Sequence, residues 1–366
     1  MRIYSSVEEI EKEAIIPKIN SIVELERVYP YRNVMGNYWQ RIESALKYIP
    51  EEYHFAALAL FANVIYIPES ILTQAWQYCM WELKERYGIH ENNILNDSLL
   101  LTEEVDLLIE FLHSNNITGR LDIDKMPRSP RLGDIAAYLL LDDCLSNTQR
   151  DVIADESLSP LINGFKHLRT ALKRNYWIII VDKSLSGSSL HSELMKACKL
   201  REALSANSKI IVIAQIITFD ALKSTQKIKD EENIEIISAI YLDEKFKINS
   251  DQCELFNYKE THKQVKELCE WFDKNILSTD EIYGSNSVWR EIGGDPEYGL
   301  AYGFKGCGLT LVTPNCPSNS IPLLWYHKPG RYEGPYPRVE SRTSQRRSFD
   351  KELINLLSNR SEKRGD

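Results

Sequence analysis

Trp177-Ile178-Ile179-Ile180-Val181, running directly into Asp182-Lys183-Ser184-Leu185-Ser186-Gly187-Ser188-Ser189, is the stretch that decides the fold of this chain. An unbroken run of large, mostly β-branched residues is the mark of a strand buried on both faces, as in a parallel sheet. A polar turn and a helix over 190–204 follow it. Then come a second apolar strand over 209–214, a helix around 220–228 and a third strand over 234–241. A strand–helix–strand–helix–strand series is most simply closed by right-handed crossovers onto one parallel sheet, so the expected class is α/β.

The turn after the first strand is the leading candidate for chemistry. It leaves the carboxyl end of a strand and enters a helix, and in open α/β sheets ligands bind in that crevice. Ser186, Gly187, Ser188 and Ser189 offer small side chains, hydroxyls and closely spaced backbone N–H groups at a helix N-terminus, which suits an anion. Asp182 can accept hydrogen bonds from sugar hydroxyls or help order a magnesium ion, and Lys183 can meet a phosphate. The pattern alone does not separate this reading from a serine-rich helix cap with an ordinary turn lysine.

Working outward, residues 1–115 read as a helical N-terminal region. A helix over 7–16 is punctuated by Pro17, an amphipathic one covers 38–48, and 53–67 is apolar nearly all round. Another helix, over 70–87, opens after Pro68 and closes at Gly88, and a capped one covers 102–113. Tyr38, Trp39, Trp76 and Trp81 are expected in the core. Residues 116–340 form the α/β core, which ends in an irregular segment rich in glycine, proline and aromatics, and 341–366 form a charged tail.

Further candidates lie in that core. Thr218 and Asp220 follow the second strand and either line the same sheet edge or cap the next helix. Arg128 and Arg131, in a proline-rich turn, have guanidinium groups suited to a pyrophosphate. In the run from Pro314 to Trp325, Asn315 and Asn319 either read a base or ribose or hold their own loop together. Trp325 or Tyr326 would then be a stacking wall, although Trp325 reads better as core. Trp289-Arg290 and the basic stretch 331–338 suit nucleic acid or an ordinary packed loop, and Cys316 has no neighbouring base in sequence to activate it.

Composition excludes several classes. With a net charge of −9 the 366-residue chain is not a general nucleic-acid coat, which needs a basic surface. The apolar runs are too short to span a bilayer, and the first residues do not read as a signal peptide. Seven scattered cysteines without a C-x-x-C, and no paired histidines, point to reduced thiols in a cytoplasmic protein with no metal cage.

Two resemblances sharpen this. The strand and serine loop resemble the signature of type I phosphoribosyltransferases, in which apolar residues, two acids and a Thr-Gly-x-Thr loop bind the ribose and 5′-phosphate of phosphoribosyl pyrophosphate (PRPP). Ser186, Gly187 and Ser189 fill the Thr, Gly and Thr places. Asp182 takes the second acidic place with Val181 at the first, or, with a loop one residue shorter, Lys183 replaces the second acid. Gly303-Phe304-Lys305, the apolar 309–312 and the run 314–325 resemble the C-terminal signature of the phosphoribosyltransferase-like effectors of bacterial conflict systems, PRTase-CE.

The resemblance implies a type I phosphoribosyltransferase-like core and a PRPP-like or nucleotide ligand, with magnesium on its pyrophosphate. Ser186, Gly187, Ser188 and Ser189 would hold the 5′-phosphate, and Asp182 would be the catalytic residue at the ribose. It also implies an antiphage effector held by a sensor or inhibitor, such as a reverse transcriptase–nucleic acid complex, and leaves homo-oligomerisation open. A non-catalytic nucleotide sensor and a salvage phosphoribosyltransferase are the rival readings. On this view Gly187→Val blocks the phosphate and leaves the fold near wild type.

Overall fold

The computed structural model describes residues 7–31, 36–90, 175–203, 208–284, 287–313 and 315–338. It is a mixed α/β protein with parallel strand pairs. In chain order, α1 (Val7–Val28), α2 (Tyr38–Leu46), α3 (His54–Ala62), β1 (Ile65–Tyr66) and α4 (Glu69–Tyr87) come first. The series β2 (Tyr176–Ser184), α5 (Ser188–Ala203), β3 (Lys209–Thr218), α6 (Phe219–Glu231) and β4 (Glu235–Leu242) follows. α7 (Lys259–Phe272), α8 (Val288–Gly293), β5 (Leu311–Val312), α9 (Pro322–Trp325), β6 (His327–Lys328) and β7 (Tyr332–Glu333) complete the described chain. Internal contacts divide the protein into two compact units, one of Met1–Pro68 with Cys253–Asp366 and one of Glu69–Gln252.

The Glu69–Gln252 unit is built on a parallel sheet in the order β2-β3-β4. β3 is central, and Ile210, Ile211, Val212, Ile213, Ala214 and Ile216 are all fully buried, which is why its sequence is apolar on both faces. α4 covers one face, with Cys79, Met80 and Leu83 packed against Ile178, Ile211, Ile213 and Ile237. It runs antiparallel to the strands: its C-terminal Arg86 pairs with Glu235 at the start of β4 (2.8 Å), while the carbonyl of Leu72 accepts from Gln215 Nε2 in the later half of β3 (2.9 Å). Gly88, at φ +69°, closes α4 as expected, and its N–H donates to the Lys84 carbonyl (2.8 Å).

At the amino edge of the sheet, Glu235 gathers Arg86, Tyr87 and Lys209, with Lys209 Nζ at 2.9 Å. The Tyr87 hydrogen bond leads in lowering its carboxyl to about 2, and Lys209 and Arg86 add to it against the opposing effect of burial. Trp81 departs from expectation. It is 54% exposed beside Tyr78, on the side of α4 turned away from the sheet, and is not core.

In the other unit, α1 runs through Pro17 where the sequence suggested a stop. The proline forfeits one helical N–H, yet Ile15, Ile19 and Ile22 stay buried on one face and hold the helix in register. The stretch expected to be one helix over 53–67 instead ends α3 at Ala62 and turns into β1, which pairs in parallel with β5 through Ile65↔Leu311 and Tyr66↔Val312. Between α1 and α2 lies a buried ion pair. Arg41 Nη2 reaches both oxygens of Glu26 (2.7 and 2.6 Å), and the Tyr336 hydroxyl donates to the same carboxylate (2.6 Å).

Candidate functional site

β2 is longer than its apolar run. It continues through Asp182 and Lys183 to Ser184, with Lys183↔Ile216 and Ser184↔Ile217 in register, so those polar residues stand on the strand rather than in the loop. Leu185 is buried at 5% exposure and anchors the turn from inside. Its carbonyl accepts a hydrogen bond from the Thr218 hydroxyl, which in turn accepts from Ala221 N–H (3.2 Å) as the N-cap of α6. Thr218, itself 2% exposed, therefore ties the turn to the next helix.

Gly187 takes the left-handed conformation, φ +78°, that turns the chain into α5. The first helical bond of α5 runs from His191 N–H to the Gly187 carbonyl (2.7 Å). The N–H groups of Ser188, Ser189 and Leu190 precede it and have no acceptor within the helix. Ser188 and Ser189 are exposed, and Ser186 Oγ lies 3.1 Å from Ser188 Oγ. The arrangement is a small-residue turn at the carboxyl edge of a parallel sheet, with Ser188 and Ser189 exposed in the first turn of the helix, a setting that suits an anion.

Asp182 opens toward solvent, its side chain 72% exposed. Its Oδ1 accepts from Lys183 N–H (2.7 Å), and Lys183 Nζ lies 3.5 Å from its Oδ2. Asp220, at the start of α6, is paired with Lys247 (2.8 Å). No group of three or more His, Cys, Asp or Glu side chains able to hold a metal occurs among the described residues. A magnesium ion here would have to arrive with the phosphates of its ligand, meeting a single carboxylate, Asp182.

Asn315 and Asn319 belong to the other unit. Asn319 Nδ2 donates to the Phe304 carbonyl (3.0 Å), and Phe304 N–H donates to the Ser318 carbonyl (2.9 Å). The Asn-Pro run therefore braces the Gly303-Phe304-Lys305 turn, in which Lys305 is left-handed at φ +60°. The Asn315 carbonyl accepts from Thr313 Oγ1 (2.9 Å).

The stacking wall read at Trp325 or Tyr326 is not there. Trp325 is 5% and Tyr326 3% exposed, with Trp325 Nε1 on the Ser320 carbonyl (2.7 Å) and the Tyr326 hydroxyl on Asp280 (2.7 Å). Arg290 stands on the short helix α8, not in a loop, and is clamped on Asp273 (2.8 and 2.7 Å). Cys316 is fully buried, in keeping with an inert thiol. Arg128, Arg131 and the tail lie outside the described residues.

Sequence reasoning missed Tyr241, 48% exposed at the carboxyl end of β4. An aromatic near the carboxyl end of a strand, at the sheet edge where ligands bind, was the available signal. It also missed His191, whose Nδ1 lies 3.1 Å from the Ser224 carbonyl and ties the first turn of α5 to α6.

The family model described as PRTase-CE matches residues 147–338, more than half of the chain and the whole of the site just described. No curated protein matches, and no solved structure does. No helix among the described residues is long and apolar enough to cross a membrane.

Proposed function

This chain belongs to the PRTase-CE family and carries a phosphoribosyltransferase-like domain; from that premise we propose that it is an antiphage effector binding a PRPP-like or nucleotide ligand at the turn from Ser184 to Ser189. The observation that carries the proposal is that turn. It joins a buried parallel strand to a helix, bends at a left-handed glycine, and leaves Ser188 and Ser189 exposed in the first helical turn. The 5′-phosphate sits on the N–H groups of Ser188 and Ser189 with the hydroxyls of Ser186 and Ser188 beside it, and Lys183 adds positive charge. Asp182 receives the ribose hydroxyls, and magnesium enters on the pyrophosphate.

If the site turns over, the bond from C1′ to pyrophosphate breaks with the electron pair leaving on the phosphate, and an acceptor or water supplies the new bond. Positioning and oxyanion neutralisation are the main demands of such a step. Within a cytoplasmic defence system, a sensor such as a reverse transcriptase–nucleic acid complex would restrain the effector, whose release would harm nucleotide or nucleic-acid metabolism.

A second reading, ligand sensing without turnover, is favoured by one observation. One acidic place of the resembled signature is lost, at Val181 or, with the loop one residue shorter, at Lys183, and Asp182 is already engaged by Lys183. Incubating the protein with PRPP and magnesium and following pyrophosphate release separates the two. The defence role is tested by phage challenge of cells carrying the gene with its neighbours. Protection lost in Ser188→Glu supports it, and equal plaque counts with and without the gene contradict it.

A further inference from the structure

The carboxyl third of the sheet presents a second feature on the face that α4 covers nearer the amino edge. Ile178, Ile211, Ile213 and Ile237 pack under α4, and Gln215 bonds to it, which fixes the face. Side chains alternate along a strand, so Asp182 on β2, Ile217 on β3 and Tyr241 on β4 point the same way. The register runs Ser184↔Ile217↔Tyr241 straight across the strands. With neighbouring strands about 4.8 Å apart, Tyr241 stands about 10 Å across the sheet from the end of β2, the width of β3 between them.

Three groups are open on this surface: Asp182, Ile180 at 38% exposure and Tyr241 at 48%. Tyr241 stands one residue before the buried Leu242 that ends β4, and it is the most open side chain of that strand.

Its electrostatic surroundings are one-sided. Burial and then the carboxylates of Asp243, Glu244 and Asp220 push the Tyr241 phenol upward. Asp220 shares its charge with Lys247, whereas Asp243 turns one oxygen to the N–H of Lys245 (2.9 Å). An electron-rich ring among carboxylates attracts a cation and repels an anion.

We infer that the Tyr241 ring is the platform for the ring that replaces pyrophosphate at C1′ of the phosphoribosyl compound, and that this ring is a positively charged heteroaromatic of the pyridinium class. The inference rests on the phosphate reading of the serine loop. With the phosphate on α5 and the ribose at Asp182, the substituent crosses the end of β3 and stacks on Tyr241. The nearby carboxylates then discriminate against rings that carry a negative charge.

The test uses the full chain and three probes: ribose 5-phosphate, nicotinamide mononucleotide and nicotinic acid mononucleotide. The two mononucleotides share ring and sugar and differ by one carboxylate on the ring. The expected result is tighter binding of nicotinamide mononucleotide over its acid by roughly tenfold, as a cation–π contact in a carboxylate field would give. That ratio falls to about one in Tyr241→Ala and persists in Tyr241→Phe, because the ring face and not the hydroxyl makes the contact. Ribose 5-phosphate reports in each variant whether the loop is still formed. Equal affinity for the two mononucleotides, or a preference that survives Tyr241→Ala, overturns the inference and leaves the phosphate loop standing. Failure of all three probes to bind overturns both.

Discussion

Gly187 rests directly on the backbone of Ala221. A methyl group built on Gly187 would stand 2.8 Å from the Ala221 Cα, nearer than real side chains approach, and a tight 3.1 Å from its carbonyl oxygen. The glycine is therefore required twice, once for its left-handed φ and once for its contact with α6. The expectation that Gly187→Val leaves the fold near wild type does not survive this geometry. That variant should destabilise the Glu69–Gln252 unit by about 2–6 kcal/mol, the sum of a strained backbone and an overpacked contact. Denaturant unfolding checks it. A variant as stable as wild type would mean that α6 does not brace the loop.

Removing half of the buried ion pair should be costly. Glu26→Leu leaves the Arg41 guanidinium among Tyr38 and Tyr336 with its charge uncompensated, and Arg41 Nε already has no hydrogen-bond partner among the described residues. A loss of about 3–5 kcal/mol is expected. Replacing both residues, as Glu26→Leu with Arg41→Met, should cost less than the single change. A double-mutant cycle reads the difference.

The Glu235 cluster gives a pH dependence of known sign. Its carboxyl is lowered from 4.5 to about 2 in the folded chain, so the unfolded chain binds the proton more readily. The stabilisation is fully present above pH 4.5 and is lost as pH falls toward about 2. Glu235→Gln should lower stability by about 1 kcal/mol at neutral pH, as expected of a largely solvent-screened cluster. The two proteins should converge in acid, and a gap that stays constant down to pH 2 would contradict the assignment.

How much of this was legible in the sequence follows from what each residue type has to satisfy. The strand cores declared themselves because burial on both faces leaves only Ile, Val and their like, as in Ile210 to Ile213. Strand ends did not. Asp182, Lys183 and Gln215 continue the ladder with polar side chains, one open to solvent and one tied to Leu72. Pro17 read as a stop because the local cost is visible in sequence, while the packing of Ile15 and Ile19 that outweighs it is not. The serine loop was legible as a candidate. Its support was not, because Thr218 to Leu185 and Ala221 to Gly187 are long-range contacts with no local signature.

The central claim is tested most directly by calorimetric titration of wild type and Ser188→Glu with PRPP and magnesium, beside ribose 5-phosphate. A glutamate in the first turn of α5 suits the helix dipole and should hold or raise stability by about 0.3–1 kcal/mol, so lost binding cannot be blamed on lost fold. It also places a negative charge where the phosphate would sit. The account predicts saturable binding of both ligands to wild type and at least about a tenfold loss in Ser188→Glu, the weight of one charge-assisted contact. Wild-type protein that binds neither ligand, or a Ser188→Glu variant that binds as tightly as wild type, would contradict it.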